Sequence, residues 1–322
     1  MTNSTYIIAE AGSNFDGQLS QAKELIDVAV KAKVDAVKFQ MFQAKILYPN
    51  KDDPVHSRVK DCELPREWIP ELYSYATNQN IDFLVSPFDL EAIDILEKVG
   101  VVAYKWGSSE TTNHQLLIHG AKTKKPIYLS TGMCTMADIA EAIEILDANG
   151  CPKITLLHCY SVYPTAFEDA NLRAMETLGK AFRKSVGFSD HSLGISLPIA
   201  ATALGAKVIE KHFTLDRSLI GPDHSYALEP NELVEMVCQI RNVESALGSN
   251  IKKMHPDESA WGRREGIYAK NFISKGQIIT KNDVFIKRPA ISIPARYLST
   301  LIGMVSSSDI DKNSPIMWNH LG

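Results

Sequence analysis

Residues 6–33 read YIIAEAGSNFDGQLSQAKELIDVAVKAK, and the fold turns on how they are parsed. The apolar run Tyr6–Glu10 has the length and composition of a buried strand and ends on a carboxylate. A glycine-bearing turn follows, and Leu25, Ile26, Ala29 and Val30 then recur at helical spacing within Leu19–Lys33. That is one strand–helix unit. The same grammar returns seven more times, with strands predicted over 36–40, 82–86, 102–107, 126–131, 153–159, 185–189 and 207–213. Helical stretches are predicted from about Glu67 and near 89–99, 113–122 and 136–149, and a closing helix runs from Pro230 to Leu247, opened by Glu229-Pro230-Asn231. After the second strand a polar segment through Pro49, Pro54 and Pro65 makes a long loop, of the kind that carries function rather than core.

Strict alternation without a hairpin signal calls for a parallel sheet. A doubly wound open sheet shares this local grammar, but eight units favour closure into a (β/α)8 TIM barrel of the α/β class. Closure would gather the C-terminal ends of all eight strands on one face, where barrel active sites lie. Those ends are Glu10, Lys38 with Gln40, Ser86, Lys105 with Ser108, Ser130, His158, Asp190 with His191, and Glu210 with His212. One pocket can hold them all.

Composition sets the outer bounds. At 322 residues and 45% apolar content the chain can fill a large barrel core plus a small second unit. A formal charge of −4 supplies no basic footprint, so no nucleic-acid partner is expected and acidic ligands must be met by local charge. Five cysteines without CxxC spacing fit neither a disulfide framework nor a structural zinc site, which favours a reducing cytoplasm. The N-terminal residues lack the pattern of a secretory signal, and no segment has the length to cross a bilayer, so no membrane association is expected.

The character changes after Gly248. Residues 1–248 read as the barrel, 249–264 as a polar connector, and 265–322 as a small all-β unit with short runs at 266–272, 277–279, 284–287 and 316–318 separated by Lys-Gly, Lys-Asn and Pro turns. So short a piece is expected to have little core of its own and to pack on a barrel, its own or a partner's.

What can the strand ends do? Alternating residues of a strand share a face, so Lys38 with Gln40, and Glu210 with His212, can project inward together. Two lysines in a mostly dry pocket require an answering anion, and a phosphate or carboxylate is the natural one. Ser86, Ser108 and Ser130 add hydroxyl donors to the same arc, although any single serine there could be an ordinary strand-end cap. His191 and His212 sit on adjacent strands with Glu10 or Asp223 as nearby carboxylates, a donor set for a divalent ion of the Mn, Fe or Co type; each could equally be a histidine that only hydrogen-bonds. His158 and Cys159 have opposite parity, so only one can point inward. His224 could touch a ligand or cap its loop, Cys134 reads as a buried small hydrophobe, and Trp106 and Trp261 read as packing residues.

An ordered series of short motifs now becomes recognisable: IIAEAGSNFDG (7–17), DAVKFQMF (35–42), SPFD (86–89), YKWGSSETTN (104–113), LSTGM (129–133), LHCYSVYPTAFED (157–169), GFSDHS (187–192), IEKHFTLDRSLIGPDH (209–224), IKRPA (286–290) and LIGM (301–304). Over nearly its whole length the chain resembles the sialic acid synthase family, phosphoenolpyruvate-dependent enzymes that make nine-carbon nonulosonic acids. The resemblance implies a barrel followed by an antifreeze-like (SAF, β-clip) domain, and a domain-swapped homodimer in which that domain covers the partner's site. It implies that His191 and His212 bind a divalent metal, Mn²⁺ by default with Mg²⁺ or Co²⁺ as alternatives. Lys38, Ser86, Lys105, Ser108, Ser130 and Ser189 would hold phosphoenolpyruvate, with Glu110 also counted among the substrate-binding residues. Glu10, Gln40, Tyr163, Glu210 and Asp223 would work on the sugar or on proton transfers, Glu10, Glu210 and Asp223 being the catalytic candidates. Arg288 would reach the acylamino group across the dimer.

The implied reaction condenses phosphoenolpyruvate with an acylamino sugar aldehyde, N-acetylmannosamine by default, or with the diacetamido precursors of legionaminic or pseudaminic acid. Three departures from the family pattern bear on it: Phe15 stands where histidine is usual, Ser161 stands near where some members have asparagine, and Ala290 replaces the glycine after Arg-Pro. Two rival readings are a Schiff-base aldolase, tested by borohydride trapping, and a non-catalytic carbohydrate-binding protein with a dead barrel.

Overall fold

The computed structural model describes residues 4–260 and 262–322, so Trp261 lies outside the described residues. The chain divides into two compact units, Met1–Gly248 and Ser249–Gly322.

In the first unit the order is β1 (Tyr6–Gly12), α1 (Leu19–Ala32), β2 (Ala36–Met41), α2 (Ala44–Leu47), α3 (Pro54–Asp61), α4 (Ile69–Thr77), β3 (Asp82–Pro87) and α5 (Leu90–Val99). It continues with β4 (Tyr104–Trp106), α6 (His114–Lys122), β5 (Ile127–Ser130), α7 (Met136–Ala148), β6 (Ile154–Cys159), α8 (Ala174–Phe182), β7 (Ser185–Asp190), α9 (Ser196–Ala203), β8 (Val208–His212) and α10 (Pro230–Leu247). The strands pair in parallel in the order β3-β2-β1-β8-β7-β6-β5-β4. β3 also lies against β4, so the sheet closes into a (β/α)8 barrel.

The helices follow from ordinary end signals. α1 turns Ala22, Leu25, Ile26, Ala29 and Ala32 inward and stops at Lys33, whose left-handed backbone returns its N–H to the carbonyls of Ala29 and Val30. Thr135 with Asp138, and Glu229 with Glu232, form reciprocal capping boxes that open α7 and α10. Four further helices lie outside the predicted stretches: α9 is apolar on nearly every side, α8 is amphipathic but only nine residues long, and α2 and α3 interrupt the long polar segment after β2. Pro54 reads as a breaker but occupies the first turn of α3, where Asp53 caps the N–H of Val55.

The barrel interior is layered by strand parity. Ile8, Ala36, Leu84, Ala103, Leu157 and Val208 form a buried apolar layer, with the stacked rings of Tyr6 and Tyr128 packed against it. One inward position up seven of the strands the side chains become polar: Glu10, Lys38, Ser86, Lys105, Ser130, Ser189 and Glu210. Outward-facing residues of the same strands, among them Ile7, Val37, Phe39 and Ile209, join the helices in the main core. Trp106 is among them, fully buried against Tyr104.

The second unit pairs β9 (Gly266–Ala269) with β10 (Val284–Lys287) in antiparallel fashion. The runs at 277–279 and 316–318 make isolated bridges and single hydrogen bonds rather than full strands, among them Ile278 with Val305 and Ile316 with Ile267. Contrary to the sequence expectation, the unit has its own small core, in which Ile267, Ile273, Ile279, Ile293, Leu301, Ile310 and Ile316 pack together. The connector region contains one short helix, α11 (Pro256–Ala260), and α12 (Leu298–Leu301) lies within the small unit. All five cysteines are free. Among the described residues no helix is long and apolar enough to cross a membrane.

Gly187 marks the tightest point of the layered interior. A Cβ there would stand 2.4 Å from the Val208 carbonyl oxygen and 2.7 Å from Leu157 Cδ2. Gly187→Ala should therefore lower stability by about 1–3 kcal/mol through overpacking, read as a lower urea midpoint at unchanged slope.

Candidate active site

The polar layer forms the floor of a cavity of about 310 Å³ at the C-terminal face of the barrel, within the size range of small-molecule sites. Register dictates who meets whom. Glu10 lies opposite Lys38 on one side and His212 on the other, and Ser189 lies opposite Glu210. Lys38 Nζ is 2.8 Å from Glu10 Oε2 and 3.3 Å from Glu210 Oε1, while Lys105 Nζ reaches across from β4 to Glu210 Oε2 at 3.1 Å. Lys38 also donates to Ser86 Oγ at 3.1 Å, Gln40 Nε2 donates to Glu10 Oε1 at 2.7 Å, and the Ser189 hydroxyl donates to Glu210.

Burial separates the two carboxylates. Desolvation, helped by the charge of Glu210, outweighs Lys38 and holds Glu10 above the ordinary carboxyl range. Desolvation also opposes the charge of Glu210, but Lys105, Lys38 and the Ser189 hydroxyl overcome it and keep that group far below the range. One carboxyl is thus suited to carry a proton and the other to remain a fixed anion.

The arc formed by β3, β4 and β5 supplies donors. Ser130 Oγ is buried in the cavity wall with no hydrogen-bond partner among the described residues, an orphan that a polar ligand would satisfy. Ser108 Oγ accepts the Gly132 N–H at 3.0 Å, and a Cβ at 132 would fall 2.3 Å from Ser161 Oγ, so glycine is what lets these hydroxyls converge. Glu110 folds back over Gly107, holds the Ser109 hydroxyl and is 7% exposed; burial lifts its carboxyl above the usual range.

Two imidazoles stand over the other arc. Their ring centroids are 5.5 Å apart, and Tyr163 packs 4.1 Å from His191 at the mouth. His191 Nδ1 donates to the Tyr160 carbonyl at 2.9 Å, leaving Nε2 as its free nitrogen. Burial, with Cys159, the Tyr160 carbonyl and Glu210 working against it, leaves the His191 proton held more firmly than usual. His212 is the opposite case: burial, reinforced by His191 and Lys38, pushes it down to about 3, so its ring is neutral. Among the described residues no group of three or more His, Cys, Asp or Glu side chains has metal-holding geometry. For a divalent ion the chain would offer these two imidazoles, one of them already neutral, a set that fits an ion taking its remaining ligands from water and substrate.

Thirteen of the residues singled out in the sequence line this cavity: Glu10, Lys38, Gln40, Ser86, Lys105, Ser108, Glu110, Ser130, Tyr163, Ser189, His191, Glu210 and His212. Asp223 does not. It lies behind His212, with Oδ2 accepting from the Ser13 N–H and hydroxyl and Oδ1 accepting from Tyr226. Arg288 belongs to the second unit, where its Nε is 3.9 Å from Glu265 Oε1. Ala290 beside it does not adopt the left-handed backbone that would demand glycine. Phe15 is fully buried between Phe39 and Trp68 and does not line the cavity, whereas Ser161 does.

Parity is resolved in favour of Cys159, which lines the cavity, while His158 faces outward, stacks on Phe188 and donates to the Ala170 carbonyl. His224 is fully buried and bonds Thr214 and Asp16, joining the loops after β8 and β1. Cavity residues that sequence reasoning passed over are Phe88, Gly107, Ser109 and Met133. All four lie within or directly beside the quoted motifs.

A closed barrel with charged, hydroxyl and imidazole groups converging at its C-terminal face is the architecture of an enzyme. Residues 25–252 match the NeuB family and residues 264–322 the SAF domain. The chain is 43% identical to an uncharacterized protein of Methanocaldococcus jannaschii, over 98% of this chain and 94% of that one. It is 41% identical to the N,N'-diacetyllegionaminic acid synthase of Campylobacter jejuni, over 97% of this chain and 98% of that one. The crystal structure of an N-acetylneuraminic acid (sialic acid) synthetase from Leptospira borgpetersenii superposes with a TM-score of 0.76 at 34% identity, covering 81% of this chain and 90% of that one. The chain belongs to the NeuB family, whose members are phosphoenolpyruvate-condensing synthases.

The outward histidine offers a clean pH test. Burial lowers the affinity of His158 for protons, so the unfolded chain, with a histidine value of about 6.5, binds the proton first. Its contribution is complete above that pH and is lost as the pH falls below it. His158→Phe keeps the ring stack and should flatten the fall in stability below about pH 6.5, measured by denaturant unfolding at several pH values.

Proposed function

We propose that this enzyme condenses phosphoenolpyruvate with an acylamino sugar aldehyde to give a nine-carbon nonulosonic acid and phosphate. The observation that carries the reading is the divided cavity: two lysines with three serines on one side, and two imidazoles beside a carboxyl of raised proton affinity on the other. Lys38 and Lys105, with Ser86, Ser108, Ser130 and Ser189, would hold the phosphate and carboxylate of phosphoenolpyruvate. C3 of phosphoenolpyruvate bonds to the aldehyde carbon, water adds at C2, and phosphate leaves by cleavage of its C–O bond. Glu10 takes the proton of that water, the role for which its raised affinity suits it. Glu210 stays ionised and keeps the two ammoniums in place. His191 and His212 would hold the divalent ion, Mn²⁺ by preference, which when bound serves as a Lewis acid on the aldehyde oxygen.

For the sugar, a diacetamido six-deoxy substrate leading to a legionaminic acid is preferred, with N-acetylmannosamine second. The names of the Campylobacter and Leptospira relatives support these two in that order of identity. Apolar cavity residues Phe88 and Met133 offer contacts for a methyl and an acetyl group that a hydroxyl would not use. A homodimer is also proposed. Met133, Val162, Leu193 and Ile220, on the loops after β5, β6, β7 and β8, leave an exposed apolar collar around the mouth that the partner's small unit would cover, bringing Arg288 to the sugar.

Purified protein given phosphoenolpyruvate and each sugar in turn should yield a condensation product of the matching mass, lost in chelator and restored by Mn²⁺. No product with any of these sugars would overturn the reading. His212→Ala should abolish turnover with little change in unfolding midpoint, and full activity in that variant would remove the metal assignment. If Arg288 acts across the dimer, mixing inactive His212→Ala and Arg288→Ala chains through a dissociation–reassociation cycle should restore part of the activity, since mixed dimers contain one intact site.

A further inference from the structure

Behind His212 a chain of hydrogen bonds runs away from the cavity. Ser13 gives its N–H (3.3 Å) and its hydroxyl (3.1 Å) to Asp223 Oδ2, and the Tyr226 hydroxyl donates to Asp223 Oδ1 at 2.7 Å. Three donors converge on one buried carboxylate, which therefore acts only as an acceptor. The single proton of the phenol is committed to Asp223. Its oxygen, 3.4 Å from His212 Nδ1, has only lone pairs left to offer, so Nδ1 must be the protonated nitrogen of that ring. The lone pair is left on Nε2.

We propose that Tyr226 is a positioning residue: it links Asp223 to His212 and fixes the tautomer in which Nε2 presents its lone pair. The packing agrees. Tyr226 is 3% exposed, its ring lies 5.2 Å from that of His212 and 5.5 Å from that of Tyr163, and a phenol so buried requires a partner for its hydroxyl. Gly12 leaves the space the group needs, for a Cβ there would fall 2.6 Å from Asp223 Oδ2 and 3.4 Å from His212 Nδ1. Asp223 thus acts through Tyr226 on the imidazole rather than from the cavity wall. A carboxylate behind a metal-binding histidine raises its basicity and holds its orientation, and loss of such a partner typically weakens metal binding about 10–100-fold. Here a hydroxyl stands between the two. The consequence for metal affinity rests on the proposed role of His212, whereas the tautomer does not.

The test is Tyr226→Phe in the full chain, which removes one oxygen and keeps the ring. In metal-free protein labelled with ¹⁵N-histidine, wild-type His212 should give the nitrogen shifts of an Nδ1–H ring, and the variant a mixture of tautomers. Its Mn²⁺ dissociation constant, followed by electron paramagnetic resonance, should rise about tenfold with the thermal midpoint little changed. An unchanged tautomer and unchanged affinity would overturn the proposal. His212→Ala serves as the reference: if it binds Mn²⁺ like the wild type, the metal reading fails, while if it loses the ion and Tyr226→Phe does not, only the role of Tyr226 fails. Should Tyr226→Phe not fold, Asp223→Asn decides. Its amide holds the phenol proton less firmly, so it should move the same nitrogen shifts in the same direction, and their constancy would count against the proposal.

Discussion

Four buried charges at the base of the cavity govern the rest of this structure. Lys38, Lys105, Glu10 and Glu210 are each under 5% exposed, and any one of them left alone would cost several kcal/mol. They are tolerated because each ammonium meets a carboxylate, and they meet only because the sheet is closed. Lys105 on β4 reaches Glu210 on β8 across the interior, although three strands separate β4 from β8 in the sheet order. In an open sheet these residues would lie far apart. Local strand grammar does not distinguish an open sheet from a barrel, but this ion pair does.

A buried charge cluster is seldom a source of stability, since well-packed apolar side chains of similar size would serve a fold at least as well. Stability here comes from elsewhere: the apolar layer under the charges, and the larger core between strands and helices. The charged layer is better understood as a binding surface assembled in advance, at some cost, where burial strengthens its field. Gln40, Ser86 and Ser189 then have a clear purpose. Each takes up a lone pair or proton that the ion pairs leave over.

Most of the barrel was legible because two signals agree in every unit, an apolar run of strand length and a polar residue at its end. Legibility failed where one signal was missing. α9 is so uniformly apolar that it shows no face, and Pro54 marks the start of α3 while looking like a stop. The floor of the site followed from strand ends and parity, which turn Lys38 with Gln40 and Glu210 with His212 inward and leave Glu10 at the end of its strand. Its second tier did not. Ser13, Asp223 and Tyr226 come from two loops that are distant in sequence and become neighbours only when β1 pairs with β8. Parity also left His158 and Cys159 undecided, because alternation says that two adjacent residues differ without saying which faces in. Phe15 carried a different lesson: a residue inside a functional motif can belong to the core, here packed against Phe39 and Trp68.

The apolar layer beneath the charges has a kinetic meaning as well as a packing one. Ile8, Leu84, Leu157 and their neighbours close the barrel from below, and the cavity opens on the upper face. The lysines lie at its base, and Tyr163 stands half-exposed at the rim. Whatever occupies the base must arrive before, and depart after, whatever occupies the rim. Order of addition is thus built into the strands themselves, with no moving part required to enforce it.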